Sequence, residues 1–316
     1  MKTLASIALT AAIGVFSLSV QAAEPLVSVD WVKDNIGKED VVFLDVRGKI
    51  AGKSKADYLR AHIPGAVYTD YLKDGWRAKD ATGTPGMLAP VDKLAALIGG
   101  LGIDNDSHVV VVPNGGKALD VGTGTRIYWT FKVLGHDNVS LLDGGMTAYT
   151  KDVDEKTKKP LNPLEKGAVT PEPKTFKVSL REDMLVDKEA VAAAQSSGVA
   201  IVDHRPHNQY LGINQHGAAK RPGTIPGASN LPENWLTENG GGTFRSKGAL
   251  EKLFAAANVP TSGEQINFCN SGHWASLGWF ASHELLGNKD AKMYDGSMLE
   301  WAADANMPME VKINLE

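Results

Sequence analysis

Short β-branched runs alternate with stretches of helical periodicity along most of this chain. In the second half the apolar pattern predicts strands over Ala200–Asp203, Ile266–Phe268 and Ala291–Tyr294. Leu180, Val186–Ser196, Gly248–Ala257 and Ala275–Leu286 read as helix. The first half carries comparable apolar runs at Val41–Asp45 and Val109–Val112. Strand and helix in repeated succession predict an α/β protein whose parallel sheet is covered on both faces. Ligands of such sheets sit beyond the carboxyl ends of the strands.

One apolar run stands apart from this pattern. Lys2 is followed by uncharged, largely apolar residues from Leu4 to Val20 and then by Gln21-Ala22-Ala23. That is the layout of a secretory leader cleaved after Ala22, and the run is short for a membrane span. Residues 1–22 are therefore expected to be removed, leaving a periplasmic or secreted protein. The best later candidate for a span, Ile127–Leu142, is broken by Lys132, His136 and Asp137, so no membrane association is expected after cleavage. With 33 basic and 37 acidic side chains spread along 316 residues, and a net charge of -4, nucleic acid is not an expected partner.

The chain repeats itself once. Val41–Arg47 and Val199–Arg205 are both apolar strands ending in Asp-x-Arg. Ile63-Pro64-Gly65-Ala66 recurs as Ile225-Pro226-Gly227-Ala228, and Asp143-Gly144-Gly145 as Asp295-Gly296-Ser297. The offset of roughly 150 to 160 residues is far longer than a solenoid repeat and indicates a duplicated domain. The expected division is 23–153, a linker over 154–178 that holds four prolines and several lysines, and 179–316.

The single cysteine, Cys269, can form no internal disulfide. It directly follows the Ile266–Phe268 strand and precedes a helix, with Asn270-Ser271-Gly272-His273-Trp274-Ala275 as the connection. A tight loop of inward-facing amides feeding a helix N-terminus stabilises an anionic sulfur and makes it a nucleophile. In the first half the equivalent place is taken by Pro113, so that half has no thiol.

Taken together and in order, the Asp-x-Arg strand ends, the Ile-Pro-Gly-Ala segments, the Cys269-x-x-Gly272-x-x-Ala275 loop and the Asp-Gly turns resemble the tandem rhodaneses, the thiosulfate and 3-mercaptopyruvate sulfurtransferase family. The resemblance implies a parallel five-stranded α/β sheet with helices on both faces in each half, and a catalytic second half. It implies that Cys269 takes a sulfane sulfur from a small-molecule donor as a persulfide and passes it to a thiol or cyanide. Residues 270–275 would cradle the sulfur, no cofactor or metal would be needed, and the protein would act as a monomer. Arg205, at the strand end, is either a substrate-binding residue or an ion-pair partner inside its domain.

The resemblance has departures. Thiosulfate-preferring members carry cationic residues after the cysteine and beyond the strand-end arginine, where this chain has Asn270, Ser271 and Gln209. Mercaptopyruvate-like, neutral-headed donors are therefore expected to equal or exceed thiosulfate. His273 could orient or protonate a leaving group and Trp274 could wall off water, or both could simply pack the loop. His204, His207 and His216 match no metal-ligand spacing and read as loop and surface histidines. Gly122–Arg126 reads as a turn before a helix, and Asn239–Gly242 as a flexible surface loop near the mouth of the site. A phosphatase loop would need an arginine six residues after the cysteine, where Ala275 stands, and no Cys-x-x-Cys exists for dithiol chemistry. The remaining rival is a non-catalytic exported module that binds an oxyanion or a protein partner.

Overall fold

Along Val41–Asp45 and His108–Val112, alternate residues drop into two separate cores. The structure, a computed structural model, describes residues 23–315. Leu44, Val109 and Val111 join one cluster, while Phe43, Val110 and Val112 join another on the opposite face. In the second half Val202 and Met293 enter the first of these clusters, and Ile201, Ile266, Phe268 and Tyr294 form a third. The side-chain period of two therefore covers both faces of each sheet and leaves one core shared by the two halves.

Each half is a five-stranded parallel sheet with the same strand order. In the first half the order is Leu26–Val27, Val139–Leu142, His108–Val112, Val41–Asp45, Val67–Tyr68. The second half reads, from the equivalent edge, Leu185–Val186, Ala291–Tyr294, Gln265–Phe268, Ala200–Asp203, Ser229–Asn230. Phe268 pairs with Asp203 and Asp45 with Val112, which sets Cys269 and Pro113 at equivalent carboxyl ends of central strands.

The expected helix over Val186–Ser196 begins later. Val186 pairs with Tyr294 as an edge strand, and the helix starts at Lys188 because the Asp187 side chain accepts the Ala190 amide as its cap. Leu180 lies outside any helix. The helix expected at Ala275 starts at His273 and runs on from Trp279 as a π-helical segment, Phe280–Leu285. Gly122–Arg126 is not a turn but the middle of the helix Ala118–Val133, which is buried almost along its whole length.

The stretch 154–178 is strapped along the first half rather than hanging between halves. Glu165 pairs in backbone with His62, the Lys174 amide donates to Gly99, and the Lys177 carbonyl accepts from Asn105. A β-carbon on Gly99 would lie 2.4 Å from the Lys174 carbonyl oxygen, so that helix can carry the strap at this point without obstruction. The expected leader, 1–22, lies outside the described residues. Among the described residues no helix is long and apolar enough to cross a membrane.

Candidate active site

Strand alternation decides where the thiol goes. Phe268 faces the core of its own half, so Cys269 faces the core shared by both. The loop that follows is held from below by Ser297. Its hydroxyl accepts the amides of Cys269 at 3.1 Å and Gly272 at 3.2 Å, and donates to the Tyr294 carbonyl. Ser297 stands at φ +50, the left-handed region, where the first half has Gly145 at φ +54. The carbonyls of Cys269 and Asn270 accept the amides of Met298 and Leu299, as those of Pro113 and Asn114 accept Met146 and Thr147. Among the described residues, the amides of Asn270, Ser271, His273, Trp274 and Ala275 donate to no protein acceptor. They remain available to an anion at the end of the strand.

The other wall of the site comes from the first half. Arg126, 1% exposed, makes a fork-to-fork pair with Asp295, Nη1 to Oδ1 at 2.5 Å and Nη2 to Oδ2 at 2.8 Å, with the guanidinium over the Trp129 ring. Burial opposes its charge, but Asp295 outweighs this and holds Arg126 above its ordinary range, with Cys269 close enough to add to the effect. Tyr71 is also buried, and burial raises its phenol. Arg77 donates from Nη2 to the Ser271 carbonyl at 2.5 Å and from Nε to Gly86, with its guanidinium over Tyr71. The Leu88 amide donates to Asp295 Oδ2 at 2.6 Å. The hairpin Arg77–Leu88 thus lies across the loop and its supporting aspartate.

The arrangement is reciprocal. The Phe244 amide donates to Asp143 Oδ1, and Gly144 donates to the Gly242 carbonyl. A β-carbon on Gly242 would lie 1.9 Å from the Gly115 carbonyl oxygen. Gly242 therefore fills the thiol-free counterpart in the first half while Asn239 is exposed, so this surface loop lies over that counterpart and not at the mouth of the Cys269 site. Among the described residues no arginine faces Asp143, and burial raises its carboxyl.

The residues proposed from sequence have different fates. Cys269 is only 1% exposed, enclosed where the halves meet. Asn270 is buried and donates to Gln209 at 2.9 Å, a neutral pair where cations were looked for. Ser271 faces a cleft of about 440 Å³ between the halves. Gly272 stands at φ +74, and a β-carbon there would lie 2.1 Å from Arg126 Nη1 and 2.4 Å from Asp295 Oδ1. Ala275 is fully buried, and Trp274 packs against the shared core. Arg205 spends its hydrogen bonds on Asp203 and the Gly223 carbonyl, as Arg47 does on Asp45 and Ala61. Its bonds describe an ion-pair role, not substrate binding.

His273 cannot act as an acid near neutral pH. Burial pushes it down to about 3, and its Nε2 faces the Leu119 carbonyl at 2.8 Å, an obligate acceptor. The proton therefore sits on Nε2, and Nδ1 accepts from the Tyr71 hydroxyl at 3.3 Å. The ring joins the halves, and Gly122 leaves room for it, since a β-carbon there would stand 2.7 Å from Nε2. His204 is not a surface residue: it is fully buried between the Leu231 carbonyl and Asn267. His207 is exposed beside Asn230, and His216 lines the cleft.

Sequence reasoning missed Tyr71, Arg77, Arg126, Asp295 as a charge partner, and Ser297. A profile of the rhodanese-like domain matches residues 28–152 and again 187–304. The chain belongs to the rhodanese-like family. This tandem rhodanese is 32% identical over 300 residues to a thiosulfate sulfurtransferase of Cricetulus griseus, covering 92% of this chain and 95% of that one. It is 31% identical over 303 residues to a putative thiosulfate sulfurtransferase of Haloferax volcanii, covering 93% and 99%. Among solved structures, it resembles the 3-mercaptopyruvate sulfotransferase SseA of Escherichia coli, with a TM-score of 0.73 and 26% identity over 87% of this chain and 99% of that one.

Proposed function

We propose that this tandem rhodanese is a sulfurtransferase that carries sulfane sulfur on Cys269. The observation that carries the reading is the position of that thiol: at the carboxyl end of a central strand, beside amides with no protein acceptor and facing the buried Arg126–Asp295 pair. The names of the hamster, Haloferax and Escherichia coli proteins support the same chemistry. With thiosulfate, the Cys269 thiolate attacks the outer sulfur, the S–S bond of the donor breaks, and sulfite leaves as the dianion with the bonding pair. The resulting persulfide anion gives its terminal sulfur to cyanide or a thiolate and returns Cys269 as thiolate. The open amides hold the charge on the terminal sulfur during both steps.

The shortage of cations in the loop is offset by Arg77, which comes from the other half and faces no carboxylate among the described residues. Reaching the enclosed sulfur requires the wall of the cleft to move. The leader reading places the mature enzyme in the periplasm or outside the cell, where it acts as a monomer on small molecules.

The test is intact-protein mass spectrometry after incubation with thiosulfate or 3-mercaptopyruvate. The expected result is a gain of one sulfur atom, removed by cyanide and absent in Cys269→Ser. The rival reading, a non-catalytic module holding an oxyanion or protein partner, draws on the enclosure of the sulfur. No adduct with any donor would favour it.

A further inference from the structure

The cleft that opens on Ser271 is lined by residues of both halves, among them Tyr71, Leu72, Arg77, Lys79, His216 and Leu299. Its volume of about 440 Å³ suits a small organic molecule. The catalytic loop contributes no positive charge to it, since Asn270, Ser271 and Gly272 are neutral and His273 is uncharged at neutral pH. The positive charge comes from the thiol-free half.

Arg77 is set in place before any ligand arrives. Its Nε is fixed to the Gly86 carbonyl, its Nη2 to the Ser271 carbonyl, and its Cζ lies 5.4 Å from the Tyr71 ring centre. Gly86, at φ +86, is needed for this: a β-carbon would stand 1.9 Å from Arg77 Nη2. Arg47, Arg126, Arg181 and Arg205 each face a carboxylate. Among the described residues no carboxylate pairs with Arg77, and its Nη1 has no acceptor. A guanidinium bound only to carbonyls keeps its full charge and a free donor edge for an anion. Lys79, exposed on the same wall, adds to that field.

We infer that Arg77 binds the anionic head of the sulfur donor, a sulfonate-like or carboxylate group, and so gives the first half the choice of donor. The inference rests on the sulfurtransferase reading for what the anion is, but not for its being bound. Rigid placement over Ser271 sets the head against the sulfur-bearing loop itself, two residues beyond Cys269, leaving the rest of the cleft for the body of the donor.

Two measurements test it separately. Calorimetric titration of thiosulfate, and then of 3-mercaptopyruvate, into Cys269→Ser protein reads binding without turnover. Adding Arg77→Gln should weaken both by about tenfold or more, the loss of one charge-assisted hydrogen bond, with Arg77→Lys recovering part of it. In the protein with its thiol, Arg77→Gln should raise KM by a similar factor with kcat within about twofold, the signature of lost uniform binding. Unchanged affinity, or a fall in kcat at constant KM, would overturn the assignment. If Arg77→Gln lowers the melting temperature, Lys79→Gln at low salt decides: weaker thiosulfate binding supports a cationic cleft, and unchanged binding rejects it. Intact binding with no sulfur adduct on Cys269 would sink the sulfurtransferase reading and leave the Arg77 site standing.

Discussion

Arg126 of the first half and Asp295 of the second meet through two hydrogen bonds, at 2.5 and 2.8 Å, in a place where both side chains are buried. Removing one member strands the other as a buried charge, which costs about 3–5 kcal/mol. Asp295→Asn and Arg126→Met should each lower urea stability by that order, and the double variant should lose less than the sum. Additive losses in the double-mutant cycle would mean the pair contributes no coupling.

Gly272 answers to the same pair from the loop side. Gly272→Ala adds a methyl 2.1 Å from Arg126 Nη1 at a backbone angle of φ +74, so both space and conformation oppose it. Gly287 has φ +85 but nothing within 4 Å, so Gly287→Ala carries the conformational cost alone, about 1–2 kcal/mol. Gly272→Ala should be the more destabilising of the two and should abolish sulfur loading. Loading at the wild-type rate would show that the loop tolerates displacement of the pair.

His273 gives a pH dependence with a definite sign. Its folded value, about 3, lies below the ordinary 6.5, so the unfolded chain binds more protons between these limits. Stability due to the neutral ring is complete above about pH 6.5 and falls with acidification toward pH 3, at roughly 1.4 kcal/mol per pH unit. The difference between wild type and His273→Asn, followed by denaturation at several pH values, should shrink over that window. The pH profile of kcat above pH 6 should keep its shape in the variant; a lost acidic limb would restore His273 as a proton carrier.

Pro113→Cys puts a thiol at the place equivalent to Cys269, yet should create no second site. Gly242 already stands against Gly115, Gly144 takes the Gly242 carbonyl, and among the described residues no arginine faces Asp143. After thiosulfate treatment the variant should still gain one sulfur, and peptide mapping should find it on Cys269. A loaded Cys at 113 would show that strand-end position alone is enough.

The duplicated halves, the parallel strands and the sulfur-bearing loop were legible because they rest on local signals: Asp-x-Arg closes both strands on themselves within two residues. The far wall was not. Arg126 lies on a helix buried on every side, so it lacks the one-faced periodicity that marks a helix in sequence, and its two nearby glycines imitate a turn. Tyr71 and Arg77 lie roughly two hundred residues from the loop they touch, and separation of that order leaves no short-range pattern. His204 was misplaced for a similar reason, since its partners Leu231 and Asn267 come from other segments.

The crossed covering of the two Asp-Gly turns has an evolutionary reach. Leu88 reaches over to Asp295 and Phe244 reaches back to Asp143, so each copy finishes its neighbour and neither is finished by itself. A duplicated gene wired in this way has no simple path back to a single copy. The half without a thiol serves as the other's second wall, held to the shape and the charges, Arg77 and Arg126, that it presents across the seam.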